Sequence, residues 1–262
     1  MGWNIVKHAF NMVFGNMGNA LKASIGPVLV AIIVAIVVLL AFAMPIETLS
    51  RGSSDFSDIG VLTGIGLGLL VLLPVYLFVF AWVAVTWHRF ILLEEYPSTI
   101  PAVSGRPILP YVGKSILLAL VLVVVGVPIG FVVGLVVAPF AIIGDGAAIL
   151  VAAIGGLAVG TVLTWVWFRV AVVLPATAVG SPMSIGEGWA ITKPISRTIF
   201  NTALIVVALN IAASIAVSAV TAGIPLVGQG LDLVVSWVTL LVGVSVLTTI
   251  YGHVVEGRDL ID

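Results

Sequence analysis

Apolar residues in this chain fall into six long, nearly unbroken runs joined by shorter polar connections. A helix that crosses a bilayer needs about 20 apolar residues, because each adds about 1.5 Å across a hydrocarbon core of about 30 Å. The pattern predicts spans at 27–46, 59–90, 114–140, 147–174, 201–222 and 231–252. The runs are continuous and lack a period of two, which argues against a β-barrel. The second and third are long enough to tilt. The predicted fold is all-α: a polytopic membrane helix bundle of six transmembrane helices, forming a single domain over 1–262. Ala41-Phe42-Ala43 resembles a small-x-small processing site. The polar stretch before that run is long for a signal peptide, so the run is read as a retained span.

Two connecting segments carry helical periodicity. In residues 3–24, Val6, Phe10, Val13, Met17 and Leu21 recur at helical spacing, with Asn4, Lys7, Asn11 and Lys22 largely away from that stripe. This predicts an interfacial amphipathic helix. Ser184-Ile-Gly-Glu187 reads as a capping box, after which Ile185, Trp189, Thr192 and Ile199 share a face and Pro194 interrupts. Both segments also fit linkers resting on the bundle. Pro97, Pro101, Pro107 and Pro110 make the 94–114 connection an extended crossing.

Charge sets the orientation. With the N-terminus inside, Lys7, Lys22, Arg89, Arg106, Lys114, Arg169, Lys193, Arg197 and Arg258 all fall on the inner side, and Arg51 alone falls outside. The positive-inside rule then places both termini in the cytoplasm. The outer connections are short: Glu47–Asp58, the turn around Gly144-Asp145-Gly146, and Gly223–Gly230.

Small residues predict how the spans associate. Gly60, Gly64 and Gly68 sit four apart in the second span, Gly126, Gly130 and Gly134 in the third, and Gly156 and Gly160 in the fourth. In lipid, close backbone approach over small residues drives helix pairing, so these ridges predict tight contacts among spans two, three and four. Pro74 and Pro128 fall within spans two and three, where each removes a backbone donor.

A repeat is visible at the ends of the even spans. Trp87-His88-Arg89, Trp167-Phe168-Arg169 and Tyr251-Gly252-His253 each set a base two residues after an aromatic. Trp3, Lys7 and Phe14 also match Trp189, Lys193 and Phe200 at one constant offset. A surface helix plus a transmembrane hairpin, used three times, fits both patterns. Independent placement of aromatics and bases at an interface fits them as well.

Composition narrows the chemistry. The chain is 61% hydrophobic and 8% charged, too few charges to cover a water-soluble globule of this size. The net charge of −1 argues against nucleic acid, whose phosphates need a basic face. With no cysteine there are no disulfides and no thiolate chemistry. Mid-span positions hold no Asp, Glu, Lys or Arg; Asn210 is the most prominent polar residue there. Metalloprotease, hydrolase-elbow and P-loop motifs are absent, and no cofactor is expected. Arg89, Arg169, His88, His253, Lys193 and Arg197 are candidate contacts to lipid headgroups or to an interface, and Arg89 is also a candidate partner for Glu94 or Glu95.

Ala81-Trp-Val-Ala-Val-Thr-Trp-His-Arg-Phe-Ile-Leu-Leu-Glu94 followed by Pro97, together with Arg169-Val-Ala-Val-Val-Leu-Pro175 and Gly188-Trp-Ala-Ile-Thr-Lys193, resembles the YciC-like and glycerophosphodiester-phosphodiesterase membrane-domain group of bacterial membrane proteins. The resemblance implies a six-helix fold with interfacial helices in a bacterial inner membrane. It does not carry phosphodiesterase activity, since the soluble domain that accompanies some relatives is absent from this sequence. The expected role is non-enzymatic: an interaction, assembly or bilayer-organising module, contacting lipids and a protein partner or second copy through its glycine faces. Transport of a neutral or apolar solute is the alternative. A lipid-modifying enzyme is a third reading, seeded only by His88 and Glu94–Glu95.

Overall fold

A computed structural model describes residues 1–42, 59–140 and 145–259. The Glu47–Asp58 connection with Arg51 therefore lies outside the described residues, as do Ala43 and Gly144. The described residues are mostly helical and contain no strand. In order they form α1 (Gly2–Gly15), α2 (Met17–Ala41), α3 (Ile59–Leu93), α4 (Ile108–Val137), α5 (Asp145–Val170), α6 (Val173–Ala178), α7 (Ile185–Ile191), α8 (Ser196–Gly223) and α9 (Pro225–Val254). Six of them are long and apolar enough to cross a membrane: α2, α3, α4, α5 continued through α6, α8 and α9. This is a multi-pass membrane protein.

The long helices pair as three hairpins, α2–α3, α4–α5 and α8–α9, which close into a ring through α3 on α4, α5 on α8 and α9 on α3. The hairpins are antiparallel: Gly126 faces Leu163 and Gly155 faces Val133 within α4–α5, while Gly228 lies against Thr221 within α8–α9. Each lead-in segment packs on the preceding hairpin of the ring. Helix α1 lies on α8 and α9, the 94–107 crossing meets α2 at Gly26, and α7 lies on α5. The first and third hairpins are thus each led in by a short helix, as the repeat suggests. The second is led in by the proline-rich crossing.

Both chain ends lie at one end of the bundle, here called the base: Thr202 at the start of α8 bonds the Gly2 carbonyl, and Arg258 bonds the Leu92 carbonyl at the end of α3. The packed core is concentrated there. It joins Ile5, Ala9 and Val13 of α1, residues 81–90 of α3, residues 241–250 of α9, and all of α6. Away from the base, the spans present apolar side chains outward; Phe131, Leu135, Ile149 and Ile154 are each at least 60% exposed.

Several sequence expectations need correction. The surface helix expected over 3–24 ends at Gly15. Asn16 takes a non-helical conformation (φ −122°, ψ 32°), its side chain bonds the Met12 carbonyl, and 17–24 belong to α2. Only the first part of the predicted stripe is buried, with Ile5 and Ala9 joining Val6 and Val13, and it is covered by protein; Leu21 is exposed. The sixth span starts at Pro225, six residues early, because proline suits the first turn of a helix, where its missing N–H costs nothing. Ile224 alone then joins α8 to α9.

The glycine ridges do not pack as units. Gly126 meets Leu163 of α5 and Gly160 meets Val207 of α8, whereas Gly130, Gly134 and Gly156 face open space. The α4–α5 contact runs instead through Gly155 against Val133, so α4 is rotated away from its own ridge. Gly68 is buried in α3; the surroundings of Gly60 and Gly64 lie outside the described residues. Helices α3 and α4 continue through Pro74 and Pro128, and α2 through Pro27.

Candidate functional site

Among the described residues, the base gathers the ion pairs and the buried His88 and Arg169. Helix α3 enters it at Trp87-His88-Arg89. The Trp87 indole donates to Ser245 Oγ of α9 at 2.8 Å. His88 is fully buried and bridges two helices, with Nδ1 2.8 Å from Thr248 Oγ1 of α9 and Nε2 3.2 Å from the Tyr111 hydroxyl of α4. Both ring nitrogens are thus satisfied, which is what a buried imidazole requires. His88 is a cross-brace and lies away from the Glu94–Glu95 pair.

Arg89 points the other way. Glu94 adopts φ 56°, a left-handed conformation rare outside glycine, and this turns the chain sharply back at the end of α3. The turn brings Glu95 onto Arg89, whose Nε and Nη2 donate to the two carboxylate oxygens at 3.0 and 2.6 Å. Arg106, arriving after the proline-rich crossing, pairs with the same carboxylate. Partial burial, and then the neighbouring Arg89 charge, push the Arg106 pKa below the ordinary guanidinium value. A cavity of about 130 Å³ opens beside the trio, walled by Thr86, Tyr96, Pro97 and Pro101 among others.

Arg169 ends α5 in a different setting. Its guanidinium carbon lies 3.5 Å from the centre of the Trp189 ring and 5.4 Å from that of Trp165. Nη2 donates to the Trp189 carbonyl at 2.6 Å and Nε to Thr192 Oγ1 at 3.3 Å. These contacts clamp α7 onto α5. The capping box that starts α7 is formed as predicted: Glu187 N–H donates to Ser184 Oγ and Ser184 N–H donates to the Glu187 carboxylate.

The third repeat motif departs from the other two. His253 Nδ1 sits 3.0 Å from the Arg258 carbonyl, and it is Arg258 that reaches a neighbouring hairpin, donating to the Leu92 carbonyl at 2.9 Å. Its side chain crosses over Gly252, where a Cβ would approach Arg258 Cδ to 3.3 Å. A ring of three arginines results. Arg89 donates to the Ala178 carbonyl after the second hairpin, Arg169 to the Trp189 carbonyl before the third, and Arg258 to the first. His253, a candidate headgroup or interface contact from the sequence, does not bridge hairpins, and Arg258 was not among those candidates; a glycine near the end of an apolar helix, with an arginine six residues on, was the available signal.

Lys193 and Arg197 are exposed at the base, apart from this network. Trp3, Lys7 and Phe14 of α1 are exposed, as are their offset matches Trp189, Lys193 and Phe200. Away from the base, Asn210 bonds the Val206 carbonyl of its own helix and borders an apolar groove of about 370 Å³ between α8 and α9. Among the described residues no group of three metal-ligating side chains comes together. No protein-family model, curated protein or solved structure matches this chain.

Proposed function

We propose that this chain is a non-enzymatic interaction and bilayer-organising module of a bacterial inner membrane, with both ends in the cytoplasm. One observation carries the reading: a polar-braced base joined to apolar arms that the other described residues leave uncovered. Lipid gives helices no hydrophobic drive to associate, so such arms are covered by acyl chains or by the helices of a partner or second copy. Much of the chemistry at the base goes into bracing: His88, Arg169 and Arg258 are committed to hydroxyls, carbonyls and rings. The orientation is supported by the nine basic residues assigned to that end. Membership of the YciC-like group belongs to the same proposal and rests on the sequence of the segments 81–94, 169–175 and 188–193 alone. Affinity purification in mild detergent should recover a stoichiometric partner or a defined oligomer; a monomer without partner in every mild detergent counts against it.

A second reading, passage of an apolar or neutral solute, is favoured by the α8–α9 groove, where Asn210 and Thr239 interrupt an otherwise apolar wall. Solute flux into vesicles reconstituted with the protein, abolished by Asn210→Val, would establish it in place of the first.

A further inference from the structure

We propose that the cavity beside Arg89 and Arg106 binds a phosphate group, carried by an anionic phospholipid or free in solution. This goes beyond the module reading and does not depend on it. The trio is unbalanced, with two guanidinium groups sharing the single carboxylate of Glu95 and leaving one positive charge. Arg89 is held by both oxygens of Glu95 and by the Ala178 carbonyl, whereas among the described residues Arg106 has only its contact with Glu95. Arg106 is therefore the group with donors to offer. A guanidinium fork matches phosphate oxygens in pairs, which a point-charge lysine does not.

The surroundings favour a bound anion. The side chains of Arg106 and Glu95 remain 29% and 33% exposed, so the cavity is reachable from outside the core. At about 130 Å³ it has room for roughly four waters at about 30 Å³ each, which suits a phosphate group with some of its hydration. Thr86 and Tyr96 add hydroxyls to the wall, and Pro97 and Pro101 restrict the chain that forms it. The site lies just past the end of an apolar helix, at the depth where lipid phosphates run if α3 spans the bilayer. On binding, the phosphate takes Arg106 and weakens its hold on Glu95, while Arg89 keeps Glu95 in place.

The test uses the full chain in mild detergent with two probes: titration with inorganic phosphate followed by thermal unfolding, and retention of phosphatidylglycerol over phosphatidylcholine from mixed vesicles, counted by mass spectrometry. Arg106→Ala should weaken binding about tenfold or more. Arg106→Lys, which keeps the charge and loses the fork, should fall between. Glu95→Gln should strengthen binding by removing the competing carboxylate. Ala102→Trp crowds the cavity while leaving Arg89, Glu95 and Arg106 unsubstituted, and should abolish binding even if Arg106→Ala fails to fold. A response to inorganic phosphate assigns a free anion, and selective retention of phosphatidylglycerol assigns a headgroup; either supports the site. Failure of both probes, or unaltered binding in Ala102→Trp, overturns it.

Discussion

The Arg169 guanidinium lies face-on to the Trp189 ring, 3.5 Å from its centre, and the same residue's carbonyl accepts from Arg169 at 2.6 Å. Arg169 is almost wholly buried, and no carboxylate among the described residues pairs with it. A desolvated cation on an indole face contributes about 2 kcal/mol, and lysine cannot reproduce both the stack and the fork. Arg169→Lys should loosen α7 and expose the 180–195 segment to limited proteolysis, while Trp189→Phe should have a smaller effect in the same direction. Equal protection in all three proteins would remove Arg169 as the clamp.

Two buried tryptophans in α3 differ in one respect. The Trp87 indole donates to Ser245, whereas Trp82 Nε1 has no partner among the described residues. Substitution by phenylalanine removes similar ring area from both, but only Trp87→Phe breaks a bond between helices and leaves Ser245 short of a donor. Trp87→Phe should therefore destabilise the protein by about 1–3 kcal/mol more than Trp82→Phe, measured by thermal or denaturant unfolding in detergent.

Glycines of similar appearance in the sequence should respond in opposite ways. A Cβ on Gly26 would sit 2.6 Å from the Thr99 carbonyl and 3.1 Å from Ile100 Cα, backbone that cannot yield cheaply. Gly26→Ala should push the 94–107 crossing off α2 and lower stability by about 1–3 kcal/mol. Gly130→Ala meets nothing within 4 Å and should be neutral or slightly stabilising, because alanine is the better helix former. The comparison is read from melting temperatures in one detergent.

The start of α7 should weaken in acid. Hydrogen bonds from Ser184 hold the Glu187 carboxyl below its ordinary value of 4.5. A carboxyl with a depressed folded-state pKa stabilises the fold above that ordinary value and loses the contribution as pH falls through the lower one. Exchange protection across 184–191, measured relative to the intrinsic rate at each pH, should fall as pH drops below the ordinary carboxyl value of 4.5, and Ser184→Ala should lower protection there at neutral pH and make it less sensitive to acid.

The spans were legible in the sequence because a membrane helix is recognised by its own apolar length, whatever its neighbours are. The Ser184–Glu187 box was legible for the same reason: it is closed within four residues. Which glycines pack was not legible, since that depends on helix rotation; Gly126, Gly130 and Gly134 are equally spaced, yet only Gly126 meets a neighbour. His88 stood out only as a candidate headgroup or interface contact; its burial was not legible, because its partners Tyr111 and Thr248 lie 23 and 160 residues away and only the closing of the ring brings them together. The break at Asn16 was hidden because the apolar stripe continues across it in the sequence.

Because the chain contains no cysteine, single introduced cysteines can report sidedness without background. Lys7→Cys near the start of α1, Asp259→Cys beyond α9 and Gln229→Cys at the far end of the bundle, treated with a membrane-impermeant maleimide in intact and then lysed cells, test the layout directly. Six crossings with both ends on the inner side require Gln229→Cys to label in intact cells and the other two only after lysis. Labelling of Lys7→Cys and Asp259→Cys on different sides, or of Gln229→Cys on the same side as both, would contradict it.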